Sequence, residues 1–89
     1  MKKCQRFIVY GKVQGVFFRA STQQQALVLG LTGYAKNLSN GCVEVEIYGE
    51  TVALEKMRGW LDSGSTMARV DKVVEVDTLI TEYTHFRTL

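Results

Sequence analysis

The residues best placed to do chemistry lie in one stretch, Gly11-Lys12-Val13-Gln14-Gly15-Val16-Phe17-Phe18-Arg19. It follows a β-branched and aromatic run, Phe7-Ile8-Val9-Tyr10, and precedes a run from Ser21 to Leu31 that reads as a helix. Strand, glycine loop and helix, in that order, can surround an anion. Gly11 and Gly15 allow backbone angles and close approaches that a Cβ forbids, so successive N–H groups can turn toward one oxyanion at the positive end of a helix. Arg19 adds a planar, permanently charged fork. Each charge-assisted hydrogen bond contributes roughly 1.5–3 kcal/mol and the helix terminus about 0.3–2 kcal/mol, enough together to hold a phosphoryl group without a metal. The spacing is neither a nucleotide-binding P-loop nor a dinucleotide fingerprint, because no Gly-Lys-Ser/Thr follows and the later glycines of G-x-G-x-x-G are missing. Taken alone, the loop is equally compatible with a tight strand-to-helix turn carrying a surface arginine.

A second segment, Gly33-Tyr34-Ala35-Lys36-Asn37-Leu38-Ser39-Asn40-Gly41-Cys42-Val43-Glu44, follows the helix. Asn40-Gly41 is a hairpin signal, since both residues tolerate positive φ. Asn37 stands just ahead of that turn, and its carboxamide can accept from a water while donating to an oxygen. With no other signal it would read as a turn-favouring asparagine. Together the two segments resemble the acylphosphatase family, whose signatures G-x-V-Q-G-V-x-[FY]-R and G-[FYW]-x-x-N-x-x-x-G-x-V-E both match without a gap. The resemblance continues more loosely through Gly49 and through Ala68-Arg69-Val70-Asp71-Lys72-Val73. Lys36 stands at a variable position of the second signature and leaves the match intact. The short chain suits the free-standing, bacterial-type form better than the related domains fused into larger maturation enzymes.

The resemblance implies a hydrolase that cleaves the carboxyl–phosphate bond of a small-molecule acyl phosphate, giving a carboxylate and inorganic phosphate. It implies that Arg19 binds the phosphoryl group, that Asn37 orients the attacking water, and that the backbone amides of Gly15, Val16, Phe17, Phe18 and Arg19 complete the cradle. A carboxylate is a good leaving group, so positioning and charge stabilisation can carry most of the acceleration without a strong general acid. The only histidine, His85, lies outside both signatures and reads as a structural or surface residue. No cofactor is expected. No metal is expected either, as Asp71, Glu75 and Asp77 alternate along a strand like a solvated face. The alternative is a non-catalytic ferredoxin-like module that binds phosphate or another anion, for which a water-positioning carboxamide beside Arg19 has no use.

The elements that must position these residues follow from periodicity. Strands are predicted at about 5–12, 34–38, 42–49 and 69–77, helices at about 20–31 and 51–63, and a short fifth strand at about 83–88. Two capping boxes, Ser21 with Gln24 and Thr22 with Gln25, are available at the first helix. From Cys42 to Gly49, Val43, Val45 and Ile47 alternate with Glu44, Glu46 and Tyr48, the pattern of a sheet covered on one face. Leu54, Met57 and Leu61 form a helical stripe with Trp60 beside it, and Gly64 is placed to end that helix. The order βαββαβ predicts an α+β ferredoxin-like sandwich, two helices on one face of a mainly antiparallel sheet with the short C-terminal strand added, and residues 1–89 read as one domain. In that fold the third strand lies between the first two and runs against the first. Cys4 and Cys42 then fall at opposite ends of a strand pair, roughly 15–20 Å apart at about 3.3 Å per residue, too far for a disulfide. Two free thiols are expected, with Cys4 facing the neighbourhood of Tyr48.

Composition removes other classes. The chain has 89 residues, 46% of them hydrophobic, and no apolar run approaches the roughly 20 residues of a membrane span. The charged and glycine residues after Met1 interrupt any signal-peptide core, so the expected location is the cytoplasm. A net charge of +2 with scattered lysines and arginines does not point to nucleic acid. The glutamates of the predicted central strand also oppose a polyanion. A monomer is the simplest expectation, as no feature marks a large exposed apolar patch.

Overall fold

The computed structural model describes all residues, 1–89. The element order is β1 Lys2–Lys12, α1 Phe18–Val28, β2 Thr32–Asn37, β3 Val43–Glu50, α2 Thr51–Ser63, β4 Arg69–Val76 and β5 Phe86–Thr88. The five strands form one sheet in the order β4-β1-β3-β2-β5, antiparallel at every junction except the parallel β2–β5 pair. This is the ferredoxin-like α+β sandwich with an added C-terminal strand.

Side-chain alternation decides which face each strand residue occupies. Phe7 and Val9 of β1, Ala35 of β2 and Val43, Val45 and Ile47 of β3 are fully buried and belong to one core cluster. Onto them α1 packs Phe18 and Ala26, and α2 packs Leu54, Met57 and Leu61 at helical spacing. The helices meet through Phe18 and Trp60, whose rings stack at 5.9 Å. Gly64 ends α2 with φ 69°, its N–H donating to the Trp60 carbonyl at 2.7 Å. Cys4 pairs with Tyr48 in the β1–β3 register, and both thiols are free.

Three local expectations are corrected. The first helix begins at Phe18, and no side chain caps it. Neither capping box forms: Thr22 instead donates its hydroxyl to the Phe18 carbonyl at 2.8 Å, one turn back, because the residues before it are already helical. Gly11 is not part of the loop that follows β1. It lies within β1 at a register shift opposite β4, with φ 136°, and a Cβ there would collide with the Arg69 carbonyl oxygen. The sheet is also not bare on its second face. Glu46, predicted to be exposed, is 1% accessible, because the chain between β4 and β5 crosses over it and Thr78 and Tyr83 bond its carboxylate.

Candidate active site

The loop between β1 and α1 is bent by two residues in the left-handed region, Gly15 (φ 74°) and Phe17 (φ 60°, ψ 23°). Glycine takes that conformation freely and Gly15 has open space where a Cβ would stand. The first main-chain bond of α1 runs from Ser21 N to the Phe17 carbonyl at 3.0 Å. The N–H groups of Phe18, Arg19 and Ala20 therefore precede any carbonyl that the helix can offer, and with no side-chain cap they remain as donors at its positive end.

Gln14 fixes this loop to the hairpin that carries Asn37. Its Nε2 donates to the Leu38 carbonyl at 2.7 Å and to the Cys42 carbonyl at 2.8 Å, on the two sides of the β2–β3 turn. Asn37 ends β2 opposite Val43 and shares the helix-covered face of Gly33 and Ala35, whereas Lys36 points to the other side and is exposed. The pleat thus turns Asn37 toward the loop. Its Oδ1 is buried and no protein group donates to it. A buried acceptor left in that condition costs about 1–3 kcal/mol, so it marks a place where something other than the fold sets the residue.

β5 completes the arrangement. It lies beside β2, and Gln23 of α1 donates to the Phe86 carbonyl at 2.6 Å, holding it against the helix. The main-chain oxygen of Leu89 accepts from Arg19 Nη1 at 2.6 Å and from Asn37 N at 3.1 Å. One acceptor therefore brings the arginine head beside Asn37. Arg19 retains further donors, because a guanidinium carries five N–H groups in a fixed fork. A cavity of about 270 Å³ opens here, lined by Val13, Gly15, Phe17, Phe18, Arg19, Ala20 and Thr88.

Of the residues expected at the site, Gly15, Phe17, Phe18 and Arg19 line this cavity. The Val16 side chain packs against the core, while the expectation for this residue concerns its main-chain amide. Asn37 is not among the lining residues and is joined to Arg19 through the shared Leu89 oxygen. Gln14, Thr88 and Leu89 were not foreseen as part of the arrangement. Gln14 is a fixed letter of the first signature, a signal that was present; the two C-terminal residues have none, being brought in by a strand pairing. His85 is exposed, contacts Thr84 at 2.9 Å, and lines a separate hollow with Tyr34, Tyr83 and Arg87. No three His, Cys, Asp or Glu side chains gather as a metal-binding group, and no helix is long and apolar enough to cross a membrane.

The strand order and the two helices place the molecule among ferredoxin-like α+β proteins, and an uncapped helix end, a left-handed loop and a guanidinium meet at one cavity. Residues 5–88 match the sequence profile of the acylphosphatase family. The chain is 46% identical over 87 residues to an acylphosphatase of Vibrio vulnificus, covering 98% of this chain and 97% of that one. It is 54% identical over 72 residues to an acylphosphatase of Vibrio cholerae, covering 81% and 79%. The solved structure of an acylphosphatase from Coxiella burnetii superposes with a TM-score of 0.93 at 40% identity, covering 99% of this chain and 93% of that one. The chain belongs to the acylphosphatase family and is an enzyme of that class.

Proposed function

We propose that this protein hydrolyses acyl phosphates by direct attack of a water that Asn37 positions on a phosphoryl group held by Arg19 and the loop amides. The supporting observation is the pairing of a buried, unpartnered Asn37 Oδ1 with a guanidinium that shares an acceptor with the Asn37 main chain. An acceptor without a donor is what an attacking water requires, since the water must point a hydrogen at the protein and a lone pair at phosphorus. Arg19 and the N–H groups of Gly15, Val16, Phe17, Phe18 and Arg19 face the equatorial oxygens, where charge is concentrated in the transition state. As the water oxygen bonds to phosphorus, the bond from phosphorus to the acyl oxygen breaks and the carboxylate leaves with its electron pair. The water's proton passes to a phosphoryl oxygen, which yields inorganic phosphate with no covalent enzyme intermediate.

The carboxylate leaves without protonation near neutral pH, so the reaction needs no histidine acid, consistent with the position of His85. The same reading takes residues 1–89 as one domain that acts as a monomer in the cytoplasm, without metal or cofactor. Hydrolysis of benzoyl phosphate by the purified chain in EDTA, beside Arg19→Ala and Asn37→Ala, tests it. Rapid turnover that both variants lose supports the mechanism. A folded wild-type chain that binds inorganic phosphate but turns nothing over would favour the non-catalytic anion-binding module.

A further inference from the structure

Phe17 is the only residue other than glycine with positive φ in the chain, and its side chain is 74% exposed. Both properties disfavour phenylalanine at this position. The left-handed region crowds a Cβ that glycine lacks and that asparagine tolerates better, and an exposed ring gains nothing from burial. Neither property serves the core, because Phe17 is absent from the core cluster, in which its neighbour Phe18 is 1% accessible. The fold therefore gives no reason for an aromatic side chain here, and an outlier of this kind, beside a cleft, points to a ligand.

The cleft shows which part of a ligand the ring meets. Val13 and Phe18, each 1% accessible, supply its buried apolar lining, and Arg19 is the one charged residue that lines it. Phe17 is the one large apolar residue of the lining that is exposed, so a group attached to a phosphoryl held by Arg19 extends past it toward solvent. We infer that Phe17 is a specificity-determining residue, whose ring stacks on the acyl group and selects acyl phosphates with a flat apolar face next to the carboxyl carbon, such as aroyl phosphates, over short alkyl ones. This rests on the acyl phosphate hydrolysis proposed above. An aromatic acyl group is coplanar with its carboxyl, so it presents a rigid face that offset or edge-on packing can use, whereas a methyl group presents almost none.

The test is the ratio of kcat/KM for benzoyl phosphate to that for acetyl phosphate. Both substrates carry the same phosphoryl group, so a change in the cradle itself cancels. Phe17→Asn retains a residue suited to the left-handed conformation while removing the ring, Phe17→Ala removes it more simply, and Phe17→Tyr keeps it. We expect the ratio to fall about fivefold or more in the Asn and Ala variants and to persist in the Tyr variant. The affinity of phenylphosphonate relative to methylphosphonate, measured by calorimetry, should fall in the same variants, a readout that does not pass through the chemical step. A ratio within about twofold of wild type in both Phe17→Asn and Phe17→Ala overturns the inference while leaving the hydrolase intact. A wild-type chain that cleaves neither substrate overturns the proposed function, and this inference with it.

Discussion

Among the places where this molecule holds polar groups away from water, two are finished in opposite ways. On the face of the sheet away from the helices, Glu46 is buried with three donors: Arg6 Nε at 2.8 Å, Thr78 Oγ1 at 2.6 Å and the Tyr83 hydroxyl. Arg6 and Glu46 are also direct partners in the β1–β3 register. At the end of the sheet, Asn37 Oδ1 is buried with none, the helix beside it is uncapped, and the loop before that helix holds an aromatic residue in the left-handed region. The first region spends its polar groups on one another and secures the segment leading to β5. The second leaves the Asn37 carboxamide oxygen and the first N–H groups of α1 without a protein partner. Satisfied burial makes a structural clasp, and the unsatisfied burial of Asn37 beside Arg19 supports the site proposed above.

The contrast predicts that variants will separate activity from stability. Arg19→Ala should have the largest effect, lowering kcat/KM for benzoyl phosphate about 10³-fold, near 4 kcal/mol of transition-state stabilisation, and weakening inorganic phosphate. Comparable kcat/KM in that variant would remove Arg19 from the site. Asn37→Ala should lower kcat about 10²-fold while the inhibition constant for phosphate stays within a few-fold. Because it deletes a buried acceptor that nothing satisfies, it should leave thermal stability unchanged or raise it by up to about 1 kcal/mol. A clear fall in Tm would mean that the asparagine belongs to the clasp kind of region after all.

Glu46→Ala should do the reverse. Losing a carboxylate with three donors, one of them on a partly exposed arginine, should cost about 2 kcal/mol, a drop of about 10 °C in a domain of this size. The kcat of the folded fraction should hold within about twofold; a selective loss of kcat would tie the clasp to the chemistry.

A smaller effect should appear in the pH dependence of stability. Burial raises the pKa of Glu46, but the bonds from Thr78, Tyr83 and Arg6 outweigh it and hold the carboxyl below its ordinary 4.5. The unfolded chain therefore binds the proton more tightly than the native one. The stabilisation is fully present above about pH 4.5 and is lost as pH falls through the lower native value. Urea midpoints measured down this range should fall more steeply for wild type than for Glu46→Gln, and parallel curves would show that other carboxylates dominate. On the alkaline side, burial and then a bond to Glu44 raise the Tyr34 hydroxyl, and burial and then a bond to Glu46 push that of Tyr83 up to about 12, so their stabilisation is present below about pH 10 and is lost as pH rises through the native values. Last, His85→Ala should leave kcat/KM within about twofold, as an exposed ring beside Thr84 should; a larger change would extend the site to the hollow beyond β5.

Both halves of this comparison were unequally legible in the chain. Gly15 and Arg19 stand in one short segment whose residue types raise the prospect of an anion site, whereas Asn37 takes a role only through the resemblance of both segments to the family signatures. The valine face of β3 and the Leu54-Met57-Leu61 stripe were equally plain, because alternation and helical spacing are local properties. The capping boxes misled, because several capping-capable residues follow one another and local chemistry alone does not choose where the helix begins. Glu46 misled as well, since its alternation with valines is the same whether water or another segment covers it.

By itself, then, the sequence determined the order of elements, the faces of the strands, the antiparallel meeting of Cys4 with Tyr48, and the types of the residues that could hold a phosphoryl group. The tertiary structure decided which of them would act together. Arg19 meets the Leu89 oxygen across 70 residues, and Glu46 meets Thr78 and Tyr83 across 32 and 37. Hydrogen bonds between positions so far apart leave no periodicity to read, because each exists only once the sheet has brought its two ends side by side.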